Sequence, residues 1–402
     1  MPASAERHTP LRVGVYADLV YRRDGDRLGT DRAFILFVCG LAERVNELVL
    51  FGRLAPDAAP APYVIPDGIR HIAFPHYSSV RDLGGVVRSL RGSVGAFRRA
   101  LPELDVVWLF GPYPVSIVLA LMARRARVPL VLGVRQDFPE YVRNRLPSSR
   151  WAWAVPVARG LELVFRLLAR RAPTVVVGDA LAARYSLGRA PVLATGFSLI
   201  RAADVRDESE ALGRSWEGEL ELLTVGRVDK EKNPLLLPDI LVGLRERGVA
   251  ARLTVVGTGP LEDALRARAE ELGVGDALVL RGYVPAGPAL WQLYRAAHAF
   301  LHVSLTEGLP QVLYEARAAG LPVVATDVGG VRAALDAGEG GLLVPPSDAP
   351  AAIGALERLV AEPELRERLV RRGLEEAGRQ TMDAQLDAIV LLLRGAAASS
   401  SR

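Results

Sequence analysis

Half of the 402 residues are hydrophobic, enough to pack the two cores that a chain of this length calls for, and the one cysteine, Cys39, excludes an intrachain disulfide and reads as a buried small hydrophobe. Charge divides unevenly: residues 1–200 carry 27 Arg against 16 acidic residues, a balance of +11, while residues 201–402 carry 23 basic against 30 acidic, a balance of −7. The first half therefore suits an anionic surface, although no nucleic-acid module is recognisable and nucleic acid is not an expected partner.

In chain order, residues 11–16 (LRVGVY) read as a first buried strand, followed by a loop through Asp24, Gly25, Asp26, Gly29 and Thr30 and a helix over 31–44. Strands are expected at 47–51 and 69–74, with irregular Pro/Ala-rich structure over 53–68 between them. Residues 80–100 read as a helix carrying Arg81, Arg88, Arg91, Arg98 and Arg99. Short apolar runs at 106–110, 130–134, 174–178 and 192–194, with helices between several of them, predict a doubly wound parallel sheet. The polar stretch 196–218 reads as a linker. The pattern then restarts: strands at 220–225, 252–256, 278–280, 299–303, 322–326 and 341–344, and helices at 234–247, 261–272, 289–296, 311–319, 357–372 and 383–394. The expected division is 1–200, 201–380, and 381–402 as a last helix with a frayed tail (AAASSS). Two similar α/β units in tandem predict a deep cleft between them.

Two stretches carry chemistry. In LHVSLTEGLPQVLYEARAAG (301–320), Glu307 follows a strand and Glu315 falls about one turn inside the next helix, which Pro310 opens and Gly320 stops. Ligands of open α/β sheets bind at such strand exits. A carboxylate accepts two hydrogen bonds side by side, which suits a vicinal diol such as a ribose. Taken singly, the same residues also read as a solvated loop Glu and a helix-start Glu favouring the dipole. In GRVDKEKN (226–233), Asn233 is expected to cap a helix with Pro234 at its first position, and that helix start, flanked by Arg227 and Lys232, reads as a diphosphate pocket. The only lysines of the chain, Lys230 and Lys232, lie here.

GRVDKEKN followed by EGLPQVLYE closely resembles the C-terminal half of the retaining glycosyltransferases of family 4, with VVGTGPLEDAL (255–265), RGYV (281–284) and GLPVVATDVGG (320–330) fitting too. The resemblance covers about residues 220–350 and is weaker over 1–200. It implies the GT-B fold, two Rossmann-like doubly wound α/β domains facing across a cleft, with an N-terminal acceptor-binding and a C-terminal nucleotide-sugar-binding domain. It implies that Glu307 and Glu315 form the family's E-x7-E motif. Glu315 would bind the ribose and Glu307 the donor sugar, while Arg227 and Lys232 hold the diphosphate. Gly308, Leu309, Pro310, Gln311 and Val312 would offer backbone groups to sugar and phosphates, and Tyr283 and Val284 would border the base. The implied reaction moves a hexose-type sugar from a UDP- or GDP-sugar to a hydroxyl of a glycan, lipid-linked or small-molecule acceptor, such as a cell-envelope polysaccharide. The departing diphosphate is stabilised by the two cations and helps deprotonate the acceptor from the same face, retaining configuration without a protein nucleophile. The family needs no bound metal and no cofactor.

The N-terminal half departs from the family pattern. Where many members have a Gly-Gly loop after the first strand, this chain has DGDRLGTD, with Gly29 the candidate to approach phosphate. Where many have a His after the strand ending at Val134, it has RQDFPEY. This makes Arg135 and Asp137 candidates on the acceptor or sugar side, with a plain salt bridge as the alternative. His298 and His302 bracket the strand before Glu307 and read as core or edge histidines. The turn Gly257-Thr258-Gly259 reads as a tight strand-to-helix connection. Trp151 and Trp153 near Arg143, Arg145, Arg150 and the helix 161–171, with the arginines of 80–100, fit peripheral attachment to an anionic membrane surface, with core tryptophans as the alternative. No apolar run reaches the ~18 residues of a spanning helix, and the opening MPASAERHTP lacks the apolar centre of a secretory signal. The expected location is therefore the cytoplasm, peripheral at the inner face of the membrane. Two other functions share these features: a nucleotide-sugar-binding protein without turnover, and a sugar-nucleotide epimerase of the same fold, against which the E-x7-E element argues.

Overall fold

The computed structural model describes residues 10–76, 83–144 and 151–399. Arg81, Arg145, Arg150, the opening residues 1–9, the start of the helix expected from residue 80 and the last residues 400–402 lie outside them. The chain forms two compact units, one of residues 1–199 and 382–402 and one of residues 200–381.

The first unit contains strands β1 (Arg12–Asp24), β2 (Arg27–Thr30), β3 (Glu47–Leu54), β4 (Tyr63–Val64), β5 (Arg70–Phe74), β6 (Val106–Gly111), β7 (Leu130–Val134), β8 (Thr174–Val177) and β9 (Val192–Thr195). Its helices are α1 (Phe34–Cys39), α2 (Leu83–Ala100), α3 (Pro114–Arg125), α4 (Phe138–Asn144), α5 (Ala154–Ala169) and α6 (Gly178–Tyr185). β5, β3, β1, β6, β7, β8 and β9 pair in parallel in that order. Their runs are near-continuously apolar because helices cover both faces, as burial of every residue of β6 and β7 records.

β1 does not stop at Tyr16. It shifts register between Tyr16 and Val20, runs on to Asp24, and turns back through Gly25 (φ +56°) as an antiparallel hairpin with β2. Buried Leu19 and Tyr21 alternate with more exposed Val20 and Arg22, the period of a half-covered strand. The loop expected through Gly29 is therefore a ladder: Gly29 is buried, paired with Arg22 and Val64, and a Cβ on it would sit 2.8 Å from the Tyr63 carbonyl oxygen. Close backbone packing, not approach to a phosphate, accounts for this glycine.

The second unit holds α7 (Glu208–Leu212), β10 (Leu220–Val225), α8 (Leu236–Glu246), β11 (Ala251–Val256), α9 (Glu262–Glu271), β12 (Leu278–Leu280), α10 (Pro288–Ala296), β13 (Ala299–His302), α11 (Gln311–Ala318), β14 (Val323–Thr326), α12 (Val331–Ala334), β15 (Leu342–Val344), α13 (Ala349–Ala361) and α14 (Pro363–Arg379). Its six strands are all parallel, in the order β12-β11-β10-β13-β14-β15. Strand order reverses between β10 and β13, so the loops leaving those two strands meet at the crevice where such sheets bind ligands. The single helix expected over 357–372 is two helices. Pro363 has no N–H to continue α13 and instead opens α14 at its first position.

The last helix, α15 (Met382–Ser399), returns to the first unit and extends through the alanines expected to fray. Arg44 grips it through Asp383 at 2.9 Å and Asp387 at 2.7 Å. Buried Gln385 accepts from Thr195 Oγ1 at 2.6 Å and from the Ser198 N–H at 3.1 Å. Its own Leu386, Ile389 and Leu393 are fully buried. Among the described residues no helix is long and apolar enough to cross a membrane.

Candidate functional site

The carboxyl edge of the second sheet is laced by backbone contacts from loop to loop. Gly226 N–H bonds the Val256 carbonyl at 2.9 Å, Val228 N–H the Thr258 carbonyl at 3.0 Å, and Gly257 N–H the Gly282 carbonyl at 2.8 Å, joining the loops after β10, β11 and β12. Leu305 N–H bonds the Glu231 carbonyl at 2.8 Å, joining the loops after β10 and β13. Glycines make these approaches possible. A Cβ on Gly257 (φ +135°) would meet the Gly226 oxygen at 1.9 Å, and one on Gly330 would meet the Gly308 oxygen at 1.8 Å. The loop carrying Glu307 and Gly308 is thus clamped beneath Gly329 and Gly330, which follow β14. The Gly257–Gly259 turn is the tight strand-to-helix connection that its spacing predicts.

Glu307 sits at the centre of this edge with 9% of its side chain exposed. Lys232 Nζ donates to its Oε1, and His302 Nε2, at the end of β13 and itself buried, lies 2.9 Å from the same oxygen. Burial alone pushes the Glu307 carboxyl up, but His302 and Lys232 outweigh it and hold the group at about 2. Glu307 is therefore ionised and held in place at neutral pH.

Glu315 lies on the second turn of α11. Its Oε2 accepts from the hydroxyl of fully buried Tyr294 on α10 at 2.7 Å. Part of the residue reaches solvent, yet the protein packed around its carboxyl pushes the pKa up, and the Tyr294 bond pulls it partly back. The two acids of the motif are thus poised in opposite directions. Gly308 is exposed and Pro310 buried, with Leu309 and Val312 packed against the core of α10, α11 and β14. Gln311 starts α11 without a side-chain cap. Tyr283 is 55% exposed on the neighbouring loop, and Val284 packs on that same core.

The loop after β10 differs from its expected form. Asp229, not Asn233, does the capping, accepting from the N–H groups of Glu231 at 3.1 Å and Lys232 at 3.3 Å to close a one-turn 3-10 helix. Asn233 ends that turn in the left-handed region (φ +51°). α8 begins only at Leu236. Leu236 and Leu237 donate to Asn233 and Pro234, and Pro238 has no N–H, so the start of α8 offers a phosphate little. The cations of this loop remain. Arg227 and Lys232 line one small cavity together with His302 and Ser304. Arg227 is 59% exposed and pairs with Asp229 at 2.7 Å and Glu231 at 2.9 Å.

The structure thus brings Arg227, Lys232, Glu307 and His302 together, with Glu315 and Tyr294 one loop away. His302 and Tyr294 are the residues that sequence reasoning missed. The place of His302 as the last residue of a strand feeding Glu307 was the available signal. His298, by contrast, keeps the structural role expected of it, accepting from Glu221 N–H at 2.8 Å and lying 3.0 Å from the Ser215 carbonyl. Gly29, Arg135 and Asp137 belong to the first unit. Arg135 stacks its guanidinium 3.8 Å from the Phe34 ring centre. Asp137 accepts from the Glu140 N–H at 3.1 Å to cap α4 and pairs with Arg184, the salt-bridge alternative.

The sequence profile of the family described as glycosyl transferases group 1 matches residues 205–376. A D-inositol 3-phosphate glycosyltransferase 1 of Catenulispora acidiphila is 30% identical over 379 residues, covering 88% of each chain. A D-inositol 3-phosphate glycosyltransferase of Acidothermus cellulolyticus is 34% identical over 50% of this chain, and this chain spans about half of that relative, 46%. Among solved structures, Anabaena HepE in complex with UDP and glucose superimposes with a TM-score of 0.65 at 16% identity, over 95% of this chain and 99% of that one.

Proposed function

Because the chain belongs to the group 1 glycosyl transferases, enzymes of the GT-B fold, we propose that it transfers a hexose-type sugar from a UDP- or GDP-sugar to a hydroxyl of a glycan, lipid-linked or small-molecule acceptor, with retention of configuration. The observation that carries this reading is Glu307, ionised and gripped by Lys232 and His302 at the strand exit of a switch-point crevice. HepE, of the same fold, is solved with UDP and glucose, which favours UDP as the nucleotide.

Each residue has a part in that reaction. Glu315, steadied by Tyr294, accepts hydrogen bonds from the ribose diol. Tyr283 and Val284 border the base. Gly308, Leu309, Pro310, Gln311 and Val312 present main-chain groups to sugar and phosphates. Lys232 uses one of its three N–H donors on Glu307 and keeps two for the diphosphate. Arg227, whose guanidinium is itself largely exposed, turns from Asp229 and Glu231 onto the same phosphates. As the anomeric C–O bond breaks, its electron pair goes to the diphosphate, whose growing charge meets these two cations. Glu307 faces the sugar as it becomes oxocarbenium-like, and the departing phosphate oxygen takes the proton of the incoming hydroxyl from the same face. In this reading the protein works in the cytoplasm, peripherally at the membrane, on an acceptor such as a growing cell-envelope polysaccharide.

A thermal-shift screen against UDP-, GDP- and ADP-sugars names the donor, since binding the native state alone raises the melting temperature. Slow hydrolysis of the responding donor, followed by release of nucleoside diphosphate, is expected for the wild type and lost in Glu307→Ala. A donor that binds but is never turned over with any hydroxyl acceptor would overturn the transferase reading of this site.

A further inference from the structure

Helix α5 turns the wrong kind of face to solvent. Its inner face buries Ala158, Glu162, Phe165, Leu168 and Ala169, as an amphipathic helix should. Its outer face carries Val157, Leu163, Val164 and Leu167, exposed by 39–56%, and continues from Trp153 at 59%. The spacing of 153, 157, 164 and 167 is one stripe of a helix. α3, which packs on α5, also exposes a large apolar side chain, Leu121, by 53%. Scattered exposed apolar residues need no explanation, but a contiguous stripe of large ones does.

The ends of the stripe differ chemically. At its start, the Trp153 ring lies 5.7 Å from that of Trp151, an aromatic pair of the kind that sits at headgroup level. At its end, Leu167 shares an open depression with Arg124, Arg170, Arg171 and Arg189. None of these four arginines forms an ion pair among the described residues. The flank toward α4 mixes both signs, with Asp137, Glu140 and Glu162 among its arginines. The arginine cluster without acidic neighbours thus lies on the side of Arg170 and Arg171. A guanidinium cluster beside half-exposed leucines, with tryptophan at the far end, is the pattern of a helix lying in the plane of an anionic bilayer interface.

We propose that the outer face of α5, with Leu121, is the surface by which the first unit docks on an anionic lipid bilayer: Trp153, Val157, Leu163, Val164 and Leu167 enter the acyl boundary, and Arg124, Arg170, Arg171 and Arg189 take lipid phosphates. The proposal gives a location to the peripheral attachment in the reading above, and it does not depend on the donor chemistry.

Co-flotation with vesicles of phosphatidylcholine containing phosphatidylglycerol tests it, with phosphatidylcholine vesicles as the control. The full chain is expected to float with the anionic vesicles and not with the control, losing about fivefold in partitioning for each arginine replaced in Arg170→Glu and Arg171→Glu. Leu163→Glu/Leu167→Glu is expected to abolish flotation even at low salt. Both variants should keep the wild-type thermal shift with the responding nucleotide sugar, which separates loss of docking from loss of folding or of donor binding. No flotation of the wild type at low salt overturns the proposal, as does flotation that neither variant reduces. Concentration-dependent dimerisation in sedimentation, abolished by Leu163→Glu/Leu167→Glu without any vesicle binding, overturns it in favour of a second copy as the occupant.

Discussion

Replacing Lys232 with Met tests whether Glu307 is held by charge rather than merely boxed in. In the native arrangement the carboxyl stands at about 2 against an ordinary 4.5, despite burial that pushes it up. That depression corresponds to about 3 kcal/mol of preference for the ionised form. Lys232→Met removes the ammonium and keeps the length of the side chain, leaving burial opposed by His302 alone. The carboxyl is then expected to titrate higher than in the wild type. Carbon-13 NMR of Glu-labelled protein reads the group directly, with Glu307→Gln assigning the signal by its disappearance. The linkage has a definite sign: a depressed carboxylate contributes stability that is complete above about pH 4.5 and is lost as pH falls toward 2. The wild type should therefore lose melting temperature more steeply than Lys232→Met between pH 4.5 and 3. A Glu307 midpoint near 4.5 in the wild type, or one unmoved by the substitution, would refute the argument that these two side chains form one electrostatic unit.

Tyr294→Phe removes the hydrogen bond that pulls the Glu315 carboxyl down. Calorimetric titration should show donor affinity falling about three- to tenfold, with its acid limb moved to higher pH than in the wild type. Gly330→Ala forces a Cβ to within 1.8 Å of the Gly308 oxygen, so the Glu307 loop must shift. Donor turnover should fall by at least about a hundredfold with a cost of about 2–4 kcal/mol in stability, read by coupled assay and thermal melting. Gly29→Ala, clashing with Ala61 and Tyr63 at 2.8 Å, should lower the melting temperature while leaving the calorimetric donor affinity unchanged. A donor-specific loss there would restore the phosphate role that the hairpin removes.

The strands of the second sheet were legible because each is a short apolar run closed by Gly, Pro or a charged loop, and parallel strands covered on both faces must be written that way. The placement of Glu307 after a strand and of Glu315 inside the next helix is legible because both fall in one local strand-loop-helix unit. What was hidden depends on contacts between distant segments. The approach of His302 and Lys232 to one oxygen follows from β13 lying beside β10, 75 residues apart in the Lys232–Glu307 pair, which no local pattern encodes. Tyr294 was hidden for the same reason. The β1–β2 hairpin departs from the loop expected through Asp24 to Thr30, although Leu19 and Tyr21 alternate with the more exposed Val20 and Arg22, and Asp24-Gly25 is a hairpin turn signal. The helix start expected at Asn233 rests on its place beside Pro234, whereas it is the Asp229 carboxylate that reaches two N–H groups.

The return of α15 to the first unit means that the segment made first is completed last. While the ribosome adds residues 200–381, the pocket that will hold Leu386, Ile389 and Leu393 stands open and Arg44 has neither aspartate partner. The later-made unit, continuous in sequence, has every strand it needs before its predecessor can close. During synthesis the nascent protein therefore carries a sticky, unfinished first unit while nearly half of the chain is still being added, and a premature stop even twenty codons early strands that unit without its lid.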